Sequence, residues 1–521
     1  MTSFVKHYKL KNNPFESYVA EKEPEIERYA VRPQYFNTVE ERAMKASSFI
    51  LFGSRGGGKS ATRITVYKKI WSRVKSGEKI PLPVTLTDYS QVLANGVSAV
   101  TRRDYVKEVA FLTMEAILVW LAALDEDDRE KYVRSLDPRV ADLVEDFIRG
   151  FYLSRAELHR NYSASQALQL LDQAWYKRGQ LFVESKWTEL AGVMASICNG
   201  LLKNHVGSDG KAKNDIQSFL AGGESGSNLS ISILGKLVEV VRGFGFSGIL
   251  VLVDKADETN ETNNSAEKTA ALVHPLLSEV QMLEQDGLGW HFFLWNKVAD
   301  FFKNDKYFVR LDKIAYAFIN WDEVYLINMV NRRIQHFSED RIHFFDSVFD
   351  LSINVKDVMH EAVVISTSSP RELIKLLDIL VREHDLRVGA LSEYALINRD
   401  AFDRGLDVYC KQAVGESIEG RLFNALVRLQ KTQFTNKDVQ SVFKIGSASA
   451  GNKIRSWSDA GVVKLIGTIP SEAAGKPANE YRISDPRIVR VIERELYDVA
   501  LLREESLEGD AGGGQADGIS P

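Results

Sequence analysis

The stretch Ser48-Phe49-Ile50-Leu51-Phe52-Gly53-Ser54-Arg55-Gly56-Gly57-Gly58-Lys59-Ser60 decides the fold. Its first half is a short apolar run ending in glycine, the profile of a parallel strand buried on both faces. Its second half, Gly53 to Ser60, fits the pattern G-x-x-x-x-G-K-[ST]. A strand that feeds such a loop lets successive backbone N–H groups point at phosphate oxygens. Gly53, Gly56, Gly57 and Gly58 permit the dihedrals and the close approach, while Ser54 and Arg55 complete the wrap. Lys59 brings a positive charge to the β- and γ-phosphates. Ser60 opens the following helix and offers its hydroxyl to Mg²⁺, with Ala61 beside it on the first turn. That helix is expected from Ser60 to about Lys75. Arg55 is expected to be solvated or paired rather than catalytic.

A phosphate loop needs an acid at the end of a neighbouring strand, to orient the metal and activate water. Gly248 to Asp254, GILVLVD, is the most strand-like segment of the chain, and Asp254 is the expected Mg²⁺ acid, acting directly or through a water. A glutamate directly after that acid would complete a hydrolytic site. Lys255 stands there instead, and the next acids are Asp257 and Glu258. Either can position the attacking water, with Glu258 preferred, or both merely cap the following loop.

The rest of the chain is read outward from this pair. At 521 residues it has room for three or four domains at roughly 150 residues each. With 45% hydrophobic and 26% charged residues it has an ordinary globular composition, which excludes a mainly disordered chain. The net charge of −5 confines any nucleic-acid contact to a local patch. Only two cysteines occur, Cys198 and Cys410, which excludes a disulfide framework and a zinc cluster and suits the cytoplasm. The N-terminus has no apolar core of the signal-peptide kind. The most apolar run, Ala116 to Leu124, is about half of a membrane span and reads as a buried helix, so no membrane partner is expected.

Further strands are expected at PVTLTDY (Pro83–Tyr89), WHFFLW (Trp290–Trp295) and YFVRLD (Tyr307–Asp312). Strands alternating with helices give an α/β class with a parallel sheet. The expected order is an N-terminal arm (1–48), a P-loop NTPase core (49–99 and 222–318) and a helical insertion (100–221). A helical lid (319–415), a winged helix with a terminal helix (416–503) and a disordered acidic tail (504–521) follow. The insertion ends in the Gly/Ser-rich loop Ala221–Asn228. On the lid, Val324, Ile327, Met329, Val330 and Ile334 form an apolar stripe.

The winged helix rests on three helices, Arg421–Gln430, Asn436–Phe443 and a third within Ser447–Val463 that ends at Gly461, then a hairpin of Val462–Ile469 and Asn479–Ser484. Lys and Arg outnumber Asp and Glu there, within a chain that is acidic overall. On the third helix Ser449, Asn452, Lys453, Arg455 and Ser456 are placed to face a DNA groove, with Lys476 on the wing reaching a phosphate. Ile454, Trp457 and Ala460 are expected to face the core. The same module can instead dock a protein.

The pairing of GSRGGGKS with LVDKADE resembles the AAA+/STAND branch of P-loop ATPases. The D-x-x-D-E spacing is similar to that of NACHT- and KAP-type ATPases. With the Asn13-Pro14-Phe15 arm, the lid and the winged helix, residues 10 to 490 look like the origin-recognition and initiator ATPases, bacterial stand-alone relatives above all. The insertion matches nothing in that plan. The resemblance implies a polar sensor at Asn296, after WHFFLW. It also implies a second sensor arginine, Arg371, in Ser368-Ser369-Pro370-Arg371-Glu372-Leu373-Ile374. An arginine finger is not placed; Arg310, Arg332 and Arg333 read as ordinary ion-pair residues.

The expected function is therefore a Mg²⁺-dependent ATPase whose nucleotide state controls DNA binding, with phage defence or mobile-element biology as the associated role. The other class is a non-hydrolysing STAND-like switch that recruits a protein partner through the insertion or the winged helix; Lys255 favours it, and a homo-oligomer is the other partner left open. A kinase is disfavoured because no acceptor element is recognisable, and the absence of an NKxD motif leans towards ATP over GTP.

Overall fold

Long apolar runs build the central sheet, because a strand covered on both faces has no polar side to alternate with. In this computed structural model, which describes residues 3–23, 25–171, 210–221, 227–388, 394–470 and 477–498, β1 (Phe49–Gly53) and β3 (Ile249–Val253) are buried along their whole length. So is β4 (Leu288–Trp295) up to its last residue. With β2 (Leu82–Leu86) and the short edge strand β5 (Tyr316–Phe318) they form one parallel sheet, in the order β2-β3-β4-β1-β5.

The sheet belongs to a compact unit spanning Val19–Trp321. Helix α1 (Lys59–Lys75) follows β1 directly. Helices α2 (Arg102–Ala123) and α3 (Glu157–Leu171) come from the insertion, and α4 (Ser227–Gly243) leads back to β3. α2 starts on a capping box, with the Thr101 and Asp104 side chains each satisfying the other's backbone N–H. Its apolar residues are buried on nearly every side, and they share one continuous core with the sheet. The insertion's described helices are thus part of the sheet's domain. Ala116–Leu124 is core, and no described helix is long and apolar enough to cross a membrane.

One strand differs from expectation. Tyr307 ends a short 3₁₀ turn (Asp305–Tyr307) and the residues on to Asp312 are loop, with Arg310 paired to Asp312; the fifth strand is Tyr316–Phe318. The arginine and aspartate two residues apart close a local ion pair instead of a ladder, which the alternating pattern concealed.

The second unit combines Met1–Tyr18 with Asp322–Pro521. Helix α5 (Glu323–Phe337) buries Leu326, Met329, Val330, Arg333 and Ile334, while Val324 is exposed. Leu326 takes the place expected for Val324, because Asp322 caps the helix and Val324, in its first turn, faces outward. The Asn13-Pro14-Phe15 arm docks by specific contacts. Asn13 donates to Asp378 (2.9 Å), Phe15 is fully buried edge-on to Phe345, and Arg333 donates to the Pro14 carbonyl (2.8 Å). Arg333 is thus a structural arginine of the arm.

Helices α6 (Pro370–Val388) and α7 (Arg399–Ser417) complete the helical region. The winged helix comprises α8 (Gly420–Leu429), α9 (Asn436–Phe443) and α10 (Ser447–Asp459), with a three-stranded antiparallel sheet in the order β6-β8-β7. β7 is Val463–Ile469, β8 is Ala478–Ile483, and the unexpected β6 is Gln433–Thr435. α10 ends at Asp459, two residues before the expected end at Gly461, which turns with φ +76°. Ala460 consequently lies exposed, beyond the helix. The terminal helix α11 (Pro486–Glu493) is clamped by Arg490, which reaches Glu361 (2.8 Å), Asp403 (2.9 Å) and Asp407 (2.7 Å). Residues 222–226 of the Gly/Ser-rich loop, Cys198, Lys476 and the 504–521 tail lie outside the described residues.

Candidate functional site

The register sets the site. Gly53 lies opposite Trp295 and Val253 opposite Phe292, so β1, β3 and β4 finish at one edge, where the carboxyl ends of parallel strands form a binding crevice. Gly56 (φ +72°) and Gly58 (φ +91°) take left-handed conformations that bend the loop into a wrap. At Gly53 a β-carbon would come within 2.9 Å of the Ile319 side chain. Lys59, buried at the start of α1, donates to the Gly53 (3.1 Å) and Ser54 (3.0 Å) carbonyls. Ser60 and Ala61 are half-buried on the same turn. The Trp321 indole N–H donates to the Gly57 carbonyl (2.8 Å) and braces the loop's far side. No spacing rule pointed to Trp321.

Asp254 immediately follows β3 and is buried. One carboxylate oxygen accepts from Arg63 Nε (2.9 Å) and the other from the Lys255 backbone N–H (2.9 Å), while the Tyr89 hydroxyl donates to its carbonyl (3.0 Å). Arg63 sits one helical turn beyond Lys59 and also bonds Glu21 (3.1 Å). Lys255 takes a left-handed backbone (φ +63°) and turns its ammonium to the same Glu21 (2.8 Å). Burial pushes the Glu21 carboxyl up, but the Lys255 hydrogen bond and the Arg63 and Lys255 charges outweigh it and hold it below the usual range. Arg63 and Glu21 were missed in the sequence; the four-residue step from Lys59 was the available signal for Arg63.

The two following acids separate. Asp257 is buried and bound by Arg55 of the loop (3.1 Å), whose guanidinium also lies over the Trp295 ring at 4.2 Å. Glu258 is exposed and lines a cleft that no residue of the phosphate loop lines. Asn296 follows β4, and its backbone N–H donates to the Gly53 carbonyl (3.2 Å), which puts its exposed side chain beside the loop. Arg371, in the first turn of α6 in the second unit, is exposed.

On α10, Ser449, Asn452, Arg455 and Ser456 are exposed and Ile454 and Trp457 are buried. Lys453 is half-buried, its ammonium over the Phe443 (4.5 Å) and Trp457 (5.8 Å) rings. The wing strand β7 exposes Leu465, Ile466 and Ile469.

No protein-family model matches the chain, and no curated protein matches it. Among solved structures, the chain is similar to the Aeropyrum pernix ORC1 protein in complex with DNA. The identity is 10% and the TM-score 0.36, over 89% of this chain and 93% of that one. It is also similar to the Aeropyrum pernix ORC2 protein in its ADPNP-ADP complexes. There the identity is 9% and the TM-score 0.39, over 92% and 95%. The fold assignment here rests on the strand order and the loop geometry.

Proposed function

We propose that the protein binds ATP with Mg²⁺ at Gly53–Ser60, hydrolyses it, and uses the nucleotide state to control DNA binding by its winged helix. The observation that carries this reading is the convergence of Lys59, Asp254 and Asn296 at the carboxyl ends of three adjacent parallel strands.

The residues fit a magnesium site. Mg²⁺ takes hard oxygens, usually one or two from protein with the rest from phosphates and water. The Ser60 hydroxyl and the Asp254 carboxylate are such donors, and each Asp254 oxygen keeps a second lone pair beyond its one bond. When bound, the ion would neutralise charge on the β- and γ-phosphate oxygens. Lys59 would leave its two carbonyls for the same phosphates. Asp257, held to the loop by Arg55, or Glu258 would position the water, and the second-sensor role of Arg371 rests on the sequence resemblance. Arg490 ties the terminal helix α11, which follows the wing, to α7, a route by which lid movement would reach DNA. The STAND-type placement and a role in phage defence or mobile-element biology belong to this proposal and rest on the sequence resemblance.

A second reading, a non-hydrolysing switch that recruits a protein, is favoured by Lys255 after the acid and by the apolar wing. A gel shift of the full chain with ATP or ADP at two salt concentrations separates them. DNA binding that depends on the nucleotide, and is lost to that control in Lys59→Ala, supports the first reading. No DNA binding at low salt supports the second.

A further inference from the structure

We propose that the cleft between the insertion and the sheet is a second ligand site, built for a small organic cation that donates N–H bonds to Glu115. The cleft has a volume of about 790 Å³ and lies wholly within the Val19–Trp321 unit. That volume is in the range of small-molecule sites. α2 and α3 supply one wall, α1 and the end of β2 the other, and Lys255 and Glu258 part of the rim. No residue from Gly53 to Ser60 lines it.

The deciding group is Glu115. Its side chain lines the cleft and is only 3% exposed. One oxygen accepts from the Ser163 hydroxyl (2.7 Å), but the other, Oε1, is buried and has no partner among the described residues. Burial favours the protonated form of this carboxyl, and a ligand cation donating to Oε1 would take the place of that proton.

The remaining charges say which ligand. Acidic side chains outnumber Lys and Arg on the wall by seven to four. Three of the four bases are already committed: Arg63 to Asp254 and Glu21, Lys255 to Glu21, and Lys68 to Glu27. Glu108, two turns before Glu115 on α2, is held by Arg155 (2.7 Å). An anion would therefore meet surplus carboxylates and no open cation among these three, whereas an ammonium or guanidinium would complete Glu115. Leu112, Ala116, Ala167 and the exposed Tyr162 leave apolar wall between the polar groups. That combination fits an aliphatic amine or guanidine, with a planar fork matching the carboxyl best.

The test is isothermal titration of the full chain with agmatine, with succinate and butanediol as anionic and neutral controls. Agmatine should bind saturably, and Glu115→Gln should weaken it by about tenfold or more, the effect of losing a charge-assisted bond. Ser163→Ala keeps the carboxyl but frees its orientation, and should weaken binding by less; it serves as the variant if Glu115→Gln fails to fold. Lys59→Ala should bind agmatine like wild type, so failure of the nucleotide reading leaves this result standing. No saturable agmatine binding into the millimolar range, equal affinity in Glu115→Gln, or preference for succinate overturns the proposal.

Discussion

Arg63 Nε and the Asp254 carboxylate meet at 2.9 Å with both side chains almost wholly withdrawn from solvent. The candidate metal acid is therefore held by a cation from the same helix that carries Lys59. Glu21 closes the network from the arm side, taking Arg63 and Lys255 together. Removing one member of a buried pair leaves the other uncompensated, at a loss of about 3–5 kcal/mol. Arg63→Met should lower the urea-unfolding free energy by about that amount, whereas Lys68→Met, removing a less buried pair with Glu27, should cost much less. Equal effects from both substitutions would show that the Asp254 contact carries no special energy.

The acids after Asp254 differ in a way that kinetics can read. Asp257 is fixed against the loop by Arg55, and Glu258 faces the insertion-side cleft. If Asp257 positions the water, Asp257→Asn should retain bound ATP while turnover falls by about 10² or more, as for loss of a general base. Glu258→Gln should then leave single-turnover rates near wild type. The reverse pattern would return the role to Glu258, the residue preferred on sequence alone.

How much of this was legible follows from how local each signal is. The phosphate loop, β1, β3, β4 and Asp254 are written in contiguous residues, and the structure places each within a residue or two of its expected bounds. β5 was misplaced because a three-residue edge strand with exposed Tyr316 and Phe318 has almost no pattern of its own. Trp321 on Gly57 and Arg55 on Asp257 join residues 264 and 202 positions apart, and no periodicity encodes such contacts. Val324 misled because an apolar stripe shows the period of a helix and not which of its end residues the cap turns outward.

Glu115 gives the protein a pH signature. Burial pushes its carboxyl up to about 8, against an ordinary value of 4.5, and burial pushes Glu108 up to about 7. Between the unfolded and folded values the native state keeps a proton that the unfolded chain releases, so stability falls as pH rises through this window. The loss begins near pH 4.5 and is still growing until about pH 8. Wild type should therefore lose thermal stability from about pH 5 to about pH 8 more steeply than Glu115→Gln, which cannot titrate. Parallel profiles would mean that Glu115 is ionised in the native state.

On the winged helix, Lys453 and Arg455 look equivalent in sequence and are not equivalent in the fold. Lys453 is drawn over two rings at 4.5 and 5.8 Å, whereas Arg455 is exposed. A cation already seated on aromatic faces contributes to packing, by about 0.5–2 kcal/mol, and has less freedom to meet a phosphate. An exposed arginine can release a counterion, at about 0.9 unit of log–log salt slope per phosphate on duplex DNA. Arg455→Ala should therefore flatten the salt dependence of DNA affinity by about one unit with stability unchanged. Lys453→Ala should lower the unfolding midpoint and move the slope less. A filter-binding series across salt, alongside thermal unfolding of both variants, distinguishes them. Equal slopes in Arg455→Ala and wild type would take this helix face out of the DNA interface and leave the exposed Leu465 and Ile466 of the wing as the better docking surface.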